Sequence, residues 1–224
     1  MVRKLTLNVL AVACIGVLCG CKADFMVDLY SSDAFVEENV DTPAIMKVEI
    51  PTCSDRKEHE SKILSLFEKN SKAKITGCEE QGMTSLMVVS VSAEIATNTS
   101  SRDLMIFRAV SENDIEINNI NYEVVGIRPA LSPNFLSRVN SLMEENFQTL
   151  DYNNIKFEVV LNNDEREDIL LSATQLWVDG DPYESYKRKP LSRRQKVTLT
   201  FPNITSDLVL KGKMPVVAWI GRKK

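Results

Sequence analysis

"MTSLMVVSVSAEIATNTSSRDLMIFRAV", residues 83–110, is two β-prone runs parted by a turn. Valine, isoleucine and phenylalanine recur through 83–97 and 102–110, and such side chains fit a pleated, half-buried surface. Asn98, Thr99, Ser100 and Ser101 between them are turn formers. A sheet is therefore the organising element, and the flanks extend it. Upstream, "ADFMVDLYSSDAF" (23–35) alternates, with Phe25, Val27 and Leu29 on one face and Asp24, Met26, Asp28 and Tyr30 on the other. "PAIMKVEIP" (43–51) reads as a second strand, stopped by Pro51. Downstream, "DIEINNINYEVVGIRPA" (114–130), "NIKFEVVL" (154–161), "DILLSATQLWVD" (168–179), "KVTLTF" (196–201), "DLVLKG" (207–212) and "PVVAWIG" (215–221) are all strand-like.

Two segments break this pattern with helical spacing. In "SDRKEHESKILSLFEKNSK" (54–72), Ser54 or Asp55 can cap a helix, Glu58 completes a capping box, and Ile63, Leu64 and Phe67 share a face. In "SPNFLSRVNSLMEENFQ" (132–148), Ser132 caps, Pro133 suits the first turn, and Phe135, Val139, Leu142 and Met143 repeat helically. About ten strands and two helices give an α+β fold, β-rich, with a mostly antiparallel sheet. One continuous domain and two lobes, 23–110 and 115–224, both remain open.

The N-terminus is of another kind. Arg3 and Lys4 precede an uncharged, mostly apolar run from Leu5 to Cys19, and "CKAD" then turns polar. The run falls short of the roughly 20 apolar residues of a spanning helix and has the three-part layout of an export signal. Its end, Leu18-Cys19-Gly20-Cys21, resembles the lipobox of bacterial lipoproteins. The resemblance implies that residues 1–20 are removed and that Cys21 becomes the first mature residue, a thioether-linked lipid anchor with fatty acyl chains such as palmitate. Two or three chains, at about 0.8 kcal/mol per buried methylene, make release from a membrane negligible. In enteric-type lipoproteins an Asp after the lipidated Cys retains the protein in the inner membrane. Lys22 stands there, which implies the outer membrane, with the periplasmic face or the exterior left open. The stretch from Cys21 through "ADFMVDLYSSD" to "IPTC" looks like a group of uncharacterised proteobacterial lipoproteins, some carried on mobile elements or prophages. Its Cys-then-strand-then-Ser-Asp opening is similar to that of lipid-binding lipoproteins of the mycobacterial LppM type.

The chain has 27 basic and 31 acidic residues among 224. Loss of residues 1–20 removes two basic and no acidic side chains, so the mature net charge is −6. A hydrophobic content of 44% favours a folded domain over a disordered stalk. Besides Cys21, the mature chain (21–224) keeps Cys53 and Cys78. An even pair in an oxidising compartment points to a disulfide, with free thiols or a metal as alternatives. One histidine, His59, and two unpaired-spacing cysteines make a poor zinc set.

Catalytic signatures are missing: there is no G-x-S-x-G and no phosphate-cradling glycine loop. No cofactor and no enzyme activity are expected. Carboxylates cluster in "NNDERED" (162–168: Asp164, Glu165, Glu167, Asp168) and "DGDPYES" (179–185: Asp179, Asp181, Glu184), either of which could hold a cation but reads more simply as a turn. The sharpest local feature is "YESYKRKPLSRRQK" (183–196), expected to be a loop between two strands. Lys187, Arg188, Lys189, Arg193, Arg194 and Lys196 concentrate positive charge in an acidic protein, with Tyr183 and Tyr186 beside them. Such a patch suits anionic headgroups, glycolipid phosphates or an acidic protein; nucleic acid is not expected outside the cytoplasm. Three functions follow: a membrane-anchored protein that binds an envelope protein or glycolipid, carriage of an amphiphile inside the β-rich body, and an envelope hydrolase using carboxylates.

Overall fold

The structure, a computed structural model, describes residues 22–82, 84–97, 100, 102–111, 114–145, 155–210, 213 and 216–224. The expected export signal, residues 1–20, and Cys21, the expected lipidation site, lie outside the described residues. In chain order the elements are β1 (Ala23–Tyr30), α1 (Ser31–Ala34), β2 (Val40–Ile50), α2 (Arg56–Ser65), β3 (Lys74–Gln81), β4 (Thr84–Ala96), β5 (Leu104–Val110), β6 (Ile115–Ile117), β7 (Ile120–Leu131), α3 (Pro133–Glu145), β8 (Ile155–Asn162), β9 (Ile169–Val178), β10 (Asp181–Leu191), β11 (Lys196–Phe201), α4 (Asn203–Leu210) and β12 (Ala218–Lys223). Single 3-10 turns, Cys53–Asp55 and Lys69–Ser71, flank α2.

All twelve strands join one mixed sheet, ordered β10-β9-β11-β8-β1-β2-β4-β5-β7-β12, with β3 on β4 and β6 on β7. Among the described residues β1–β8 and β4–β5 pair in parallel and the other pairs are antiparallel. The sheet is therefore mostly antiparallel and the class α+β, as the sequence patterns require. The two suggested lobes share this sheet: β1 lies between β2 and β8, and Phe25 stacks on Phe157 at 5.2 Å.

The sheet closes on itself through β9. One edge of β9 pairs along its length with β10. The other meets β12 at Leu170–Ala173 and β11 at Trp177–Val178. Between these stretches β9 turns a corner. Ile169, Leu171 and Ala173 face inward, then Leu176 and Val178, so the period-2 pattern slips once. Gln175, at φ 55°, absorbs the slip. On this edge, β11 and β12 follow one another like two pieces of one strand, with α4 looping out between them. α4 packs against β7 and β8. Thr205 on α4 donates to the Gln175 carbonyl (3.1 Å), and Thr174 N–H donates to Val217 (3.1 Å). The expected strand at 207–212 is thus a helix over its described part. Its apolar residues serve a crossing segment wedged beside two strands, and tertiary packing overrides their β propensity.

The body has two ends. At the proximal end the chain enters at Lys22, Ala23 pairs with Ile155 and with Val48, and Phe201 leads into α4. Phe135 of α3 meets Phe25 edge-on (6.2 Å) and Phe67 (5.2 Å), and Phe157 meets Phe201 (6.5 Å). These rings and the inward strand residues form one contiguous core. Ser132 Oγ accepts from Phe135 N–H, as its capping role requires, whereas Asp55, the N-cap of α2, makes no side-chain cap bond. At the distal end β1 gives way to α1. The buried Arg108 holds this cap down by donating to the Asp33 and Glu38 carbonyls (3.3 and 2.7 Å) and to Thr97 Oγ1 (2.9 Å). Pro43 stands where the β1–β2 ladder ends at Val27–Ala44, so its missing N–H costs no ladder bond to β1.

Candidate interaction surface

The stretch expected to be a loop at 183–196 is mostly strand β10. Asp179 and Gly180, at φ 52° and 88°, form the two-residue turn that reverses β9 into β10. Asp-Gly permits positive φ at both positions, which is why the hairpin is tight and the strand begins at Asp181. Tyr183 and Tyr186 lie half-buried on the core, edge to face at 4.8 Å, opposite Leu176 and Ala173. After Tyr186 the register jumps from Tyr186–Ala173 to Lys189–Leu171. Lys187 and Arg188 form the bulge, with Arg188 at φ 49° and its N–H donated to Ser172 Oγ (2.9 Å). Leu191 returns to the core. Ser192–Gln195 then turn the chain, and Asn163 fastens the turn: its N–H donates to the Gln195 carbonyl and its carbonyl accepts from Arg194 N–H.

The six cations therefore occupy three settings. Lys187, Arg188 and Lys189 lie on β10, Arg193 and Arg194 on the turn, and Lys196 opens β11. All six are exposed, and among the described residues none of them forms an ion pair. β10 is the last strand of the path, so among the described residues its outer edge has no strand neighbour. Pro182, Pro190, the bulge and the lysines are devices that keep another strand from adding to an open edge. The surface thus resists backbone pairing while it offers unneutralised charge.

Its position relative to the chain's entrance is defined by register. Lys196 pairs with Asn162, and Asn162 with Tyr30, at the distal end of β1. At about 3.3 Å per residue, Tyr30 stands roughly 23 Å along the strand from Ala23. Arg193, Arg194 and Lys196 therefore sit at the end away from Lys22.

The acidic segments serve other ends. Asp164 accepts from Ser31 Oγ (2.9 Å), Ser32 N–H (2.9 Å) and Ser32 Oγ (2.6 Å), tying the 162–168 loop to α1. Burial opposes its ionisation, but these donors together hold its carboxyl below the usual range. Burial raises Asp33 nearby, with the Asp164 charge adding to it. Glu165 and Glu123 both pair with Arg222, which lies over the Phe35 ring at 4.3 Å, and Glu167 pairs with Lys223. Asp179 Oδ1 accepts from Thr198 N–H (2.8 Å). Among the described residues no group of three or more His, Cys, Asp or Glu is placed to hold a metal ion. His59 is half-buried on α2.

The disulfide is present: Cys53 and Cys78 are bonded with Cα atoms 5.8 Å apart, stapling the turn before α2 to β3. Sequence patterns did not signal the buried centre nearby. Asp103 accepts from Glu68 N–H (2.6 Å), Ser71 Oγ (2.9 Å), Ser132 Oγ (3.3 Å) and Arg138. Arg138 also donates to the Leu66 carbonyl (2.6 Å) and to Glu68 (2.7 Å). This centre joins the end of α2, the start of β5 and α3. An isolated Asp before a strand and an Arg on a helix look like ordinary surface residues until the fold brings them together.

Residues 24–224 match the family described as Domain of unknown function (DUF7424), and the chain belongs to that family. No curated protein and no solved structure matches it.

Proposed function

We propose that this protein is an envelope lipoprotein, anchored through Cys21, that binds an anionic face of another envelope component through the β10 side of its body. The observation that carries the reading is the set of six unpaired cations, three on the edge strand β10 and three on the turn and strand start that follow it, beside an edge built to refuse strand addition. Charges that were needed only for solubility would not have to be concentrated in one segment of an acidic protein. Exposed charge is screened over about 8 Å at physiological salt, so the patch acts only on a surface in near contact. The core supports binding at the surface over carriage within: the space between strands is taken by Phe25, Phe135, Phe157 and Phe201. Engagement of Asp164, Glu165 and Glu167 in bonds to α1, Arg222 and Lys223 likewise supports a structural use of those carboxylates over hydrolysis.

The test is photocrosslinking in cells from a residue introduced at Ser185 or Gln195, on the exposed edge and turn. A discrete adduct that disappears when all six cations are replaced by Ser, with fold and membrane fractionation unchanged, is the expected result. No adduct, or one indifferent to the six substitutions, rejects the β10 side as the binding face.

A further inference from the structure

We infer that the proximal end is a bilayer-contacting face, in which Ile204 and Trp177 enter the headgroup region and stand the domain upright on its anchor. The inference rests on lipidation of Cys21. Cys21 adjoins Lys22, so one Cα–Cα step of about 3.8 Å separates the acylated residue from the first residue of the folded body. Lys22 is already fixed, its carbonyl accepting from Glu49 N–H (3.0 Å). A tether this short holds whatever shares the proximal end against the headgroups.

What shares that end is apolar and exposed. Ile204, on the first turn of α4, is 77% exposed, the most exposed large hydrophobic among the described residues. β11 lies two strands from β1, so α4 starts roughly 10 Å across the sheet from the point of entry. Trp177 is 43% exposed and pairs with Thr200, the residue before the last of β11. Ile204 and Trp177 flank the same corner, because Thr205 donates to the Gln175 carbonyl. Among the α4 side chains described, Thr205 and Ser206, the next two residues, are the fully buried ones, whereas Ile204 points out of the packing. A tryptophan with its ring half out and an aliphatic side chain beyond it suit the interface between water and acyl chains. With this end down, Arg193, Arg194 and Lys196 face away from the membrane, toward a partner that approaches from above.

The test uses the full lipidated chain carrying Trp219→Phe, so that Trp177 is its sole tryptophan, reconstituted into phosphatidylethanolamine–phosphatidylglycerol vesicles whose acyl chains are brominated near the headgroup. Co-sedimentation and Trp177 fluorescence are read together. The expected result is sedimentation, a blue shift of Trp177 emission and its loss to the brominated lipid, with Ile204→Asp reducing the loss while sedimentation is kept. Protein that sediments with Trp177 unquenched overturns the orientation and leaves the anchored reading standing. Quenching unaffected by Ile204→Asp overturns the role of Ile204. Protein that fails to sediment overturns both the anchor and the orientation built on it.

Discussion

Replacing Asp103 by Ala should destabilise the fold far more than replacing its ionic partner Arg138. The Asp103 side chain is 2% exposed and that of Arg138 27%. Deleting the carboxylate strands Glu68 N–H, Ser71 Oγ and Ser132 Oγ, and removes the acceptor that holds one arm of Arg138. Each buried polar group left without a partner costs about 1–3 kcal/mol, and breaking a buried pair by removing one member costs about 3–5 kcal/mol. The hydroxyls can rotate toward other acceptors and Arg138 keeps Glu68 and water, so the lower half of that range, about 3–4 kcal/mol, is the expected loss for Asp103→Ala. Arg138→Ala leaves Asp103 with three donors in place and should cost about half as much. The assay is urea unfolding of the oxidised protein from residue 22 onward at pH 7, followed by circular dichroism, with the midpoint shift read at constant slope. The ranking is the sensitive result. Equal losses, or a loss below about 1 kcal/mol for Asp103→Ala, would show that the three neutral donors contribute nothing and that the centre is an ordinary surface ion pair.

Reduction of Cys53–Cys78, or Cys53→Ser with Cys78→Ser, should lower stability by about 3.5 kcal/mol on the chain-entropy estimate for a separation of 25 residues; urea midpoints with and without reductant measure it, and mass mapping of the non-reduced protein should show the two peptides linked. Asp33→Asn should stabilise modestly at pH 7, by under about 1 kcal/mol at this half-exposed site. The Asp33 carboxyl is raised above 3.8 by burial and by Asp164, so its protonated form suits the fold and its ionisation opposes folding as pH rises through the raised value. Asp164 has the opposite sign: its lowered carboxyl stabilises the fold above 3.8, and this support fades as pH falls below that value, so Asp164→Asn should flatten acid denaturation there. Phe135→Ala should cost about 3–5 kcal/mol through loss of ring contacts with Phe25 and Phe67, read by the same unfolding assay. Cys21→Ser should leave an unprocessed or soluble precursor without acyl label; normal labelling and membrane fractionation of that variant would exclude Cys21 as the anchor.

The alternating faces of β1 and the two apolar helix faces were legible because burial imposes a period on the residues themselves. Phe25, Val27 and Leu29 read as one face and are buried as one face. Register across the sheet was not legible: nothing in 23–30 and 155–162 announces that β1 and β8 run parallel side by side, since two alternating strands carry no mark of their partner. β10 and α4 show the same limit from opposite sides. At β10 an edge strand looks like a loop, because the features that protect an edge, Pro182, Pro190, a bulge and lysines, are the features that mark loops. At α4 a helix looks like a strand, because eight residues are too few to display a helical period clearly and the segment gains its stability from β7, β8 and the corner of β9. The candidate binding surface was visible as charge and hidden as geometry. Six cations can be counted in 187–196, but which end of the body they occupy follows only from Lys196 lying opposite Asn162 and Asn162 opposite Tyr30. That register carries the functional consequence. On the function proposed above, an anchor joined at Lys22 and cations gathered toward Tyr30 would lie at opposite ends of β1, so lipid and charge would be spatially separate and the charge left available to something other than the anchoring membrane.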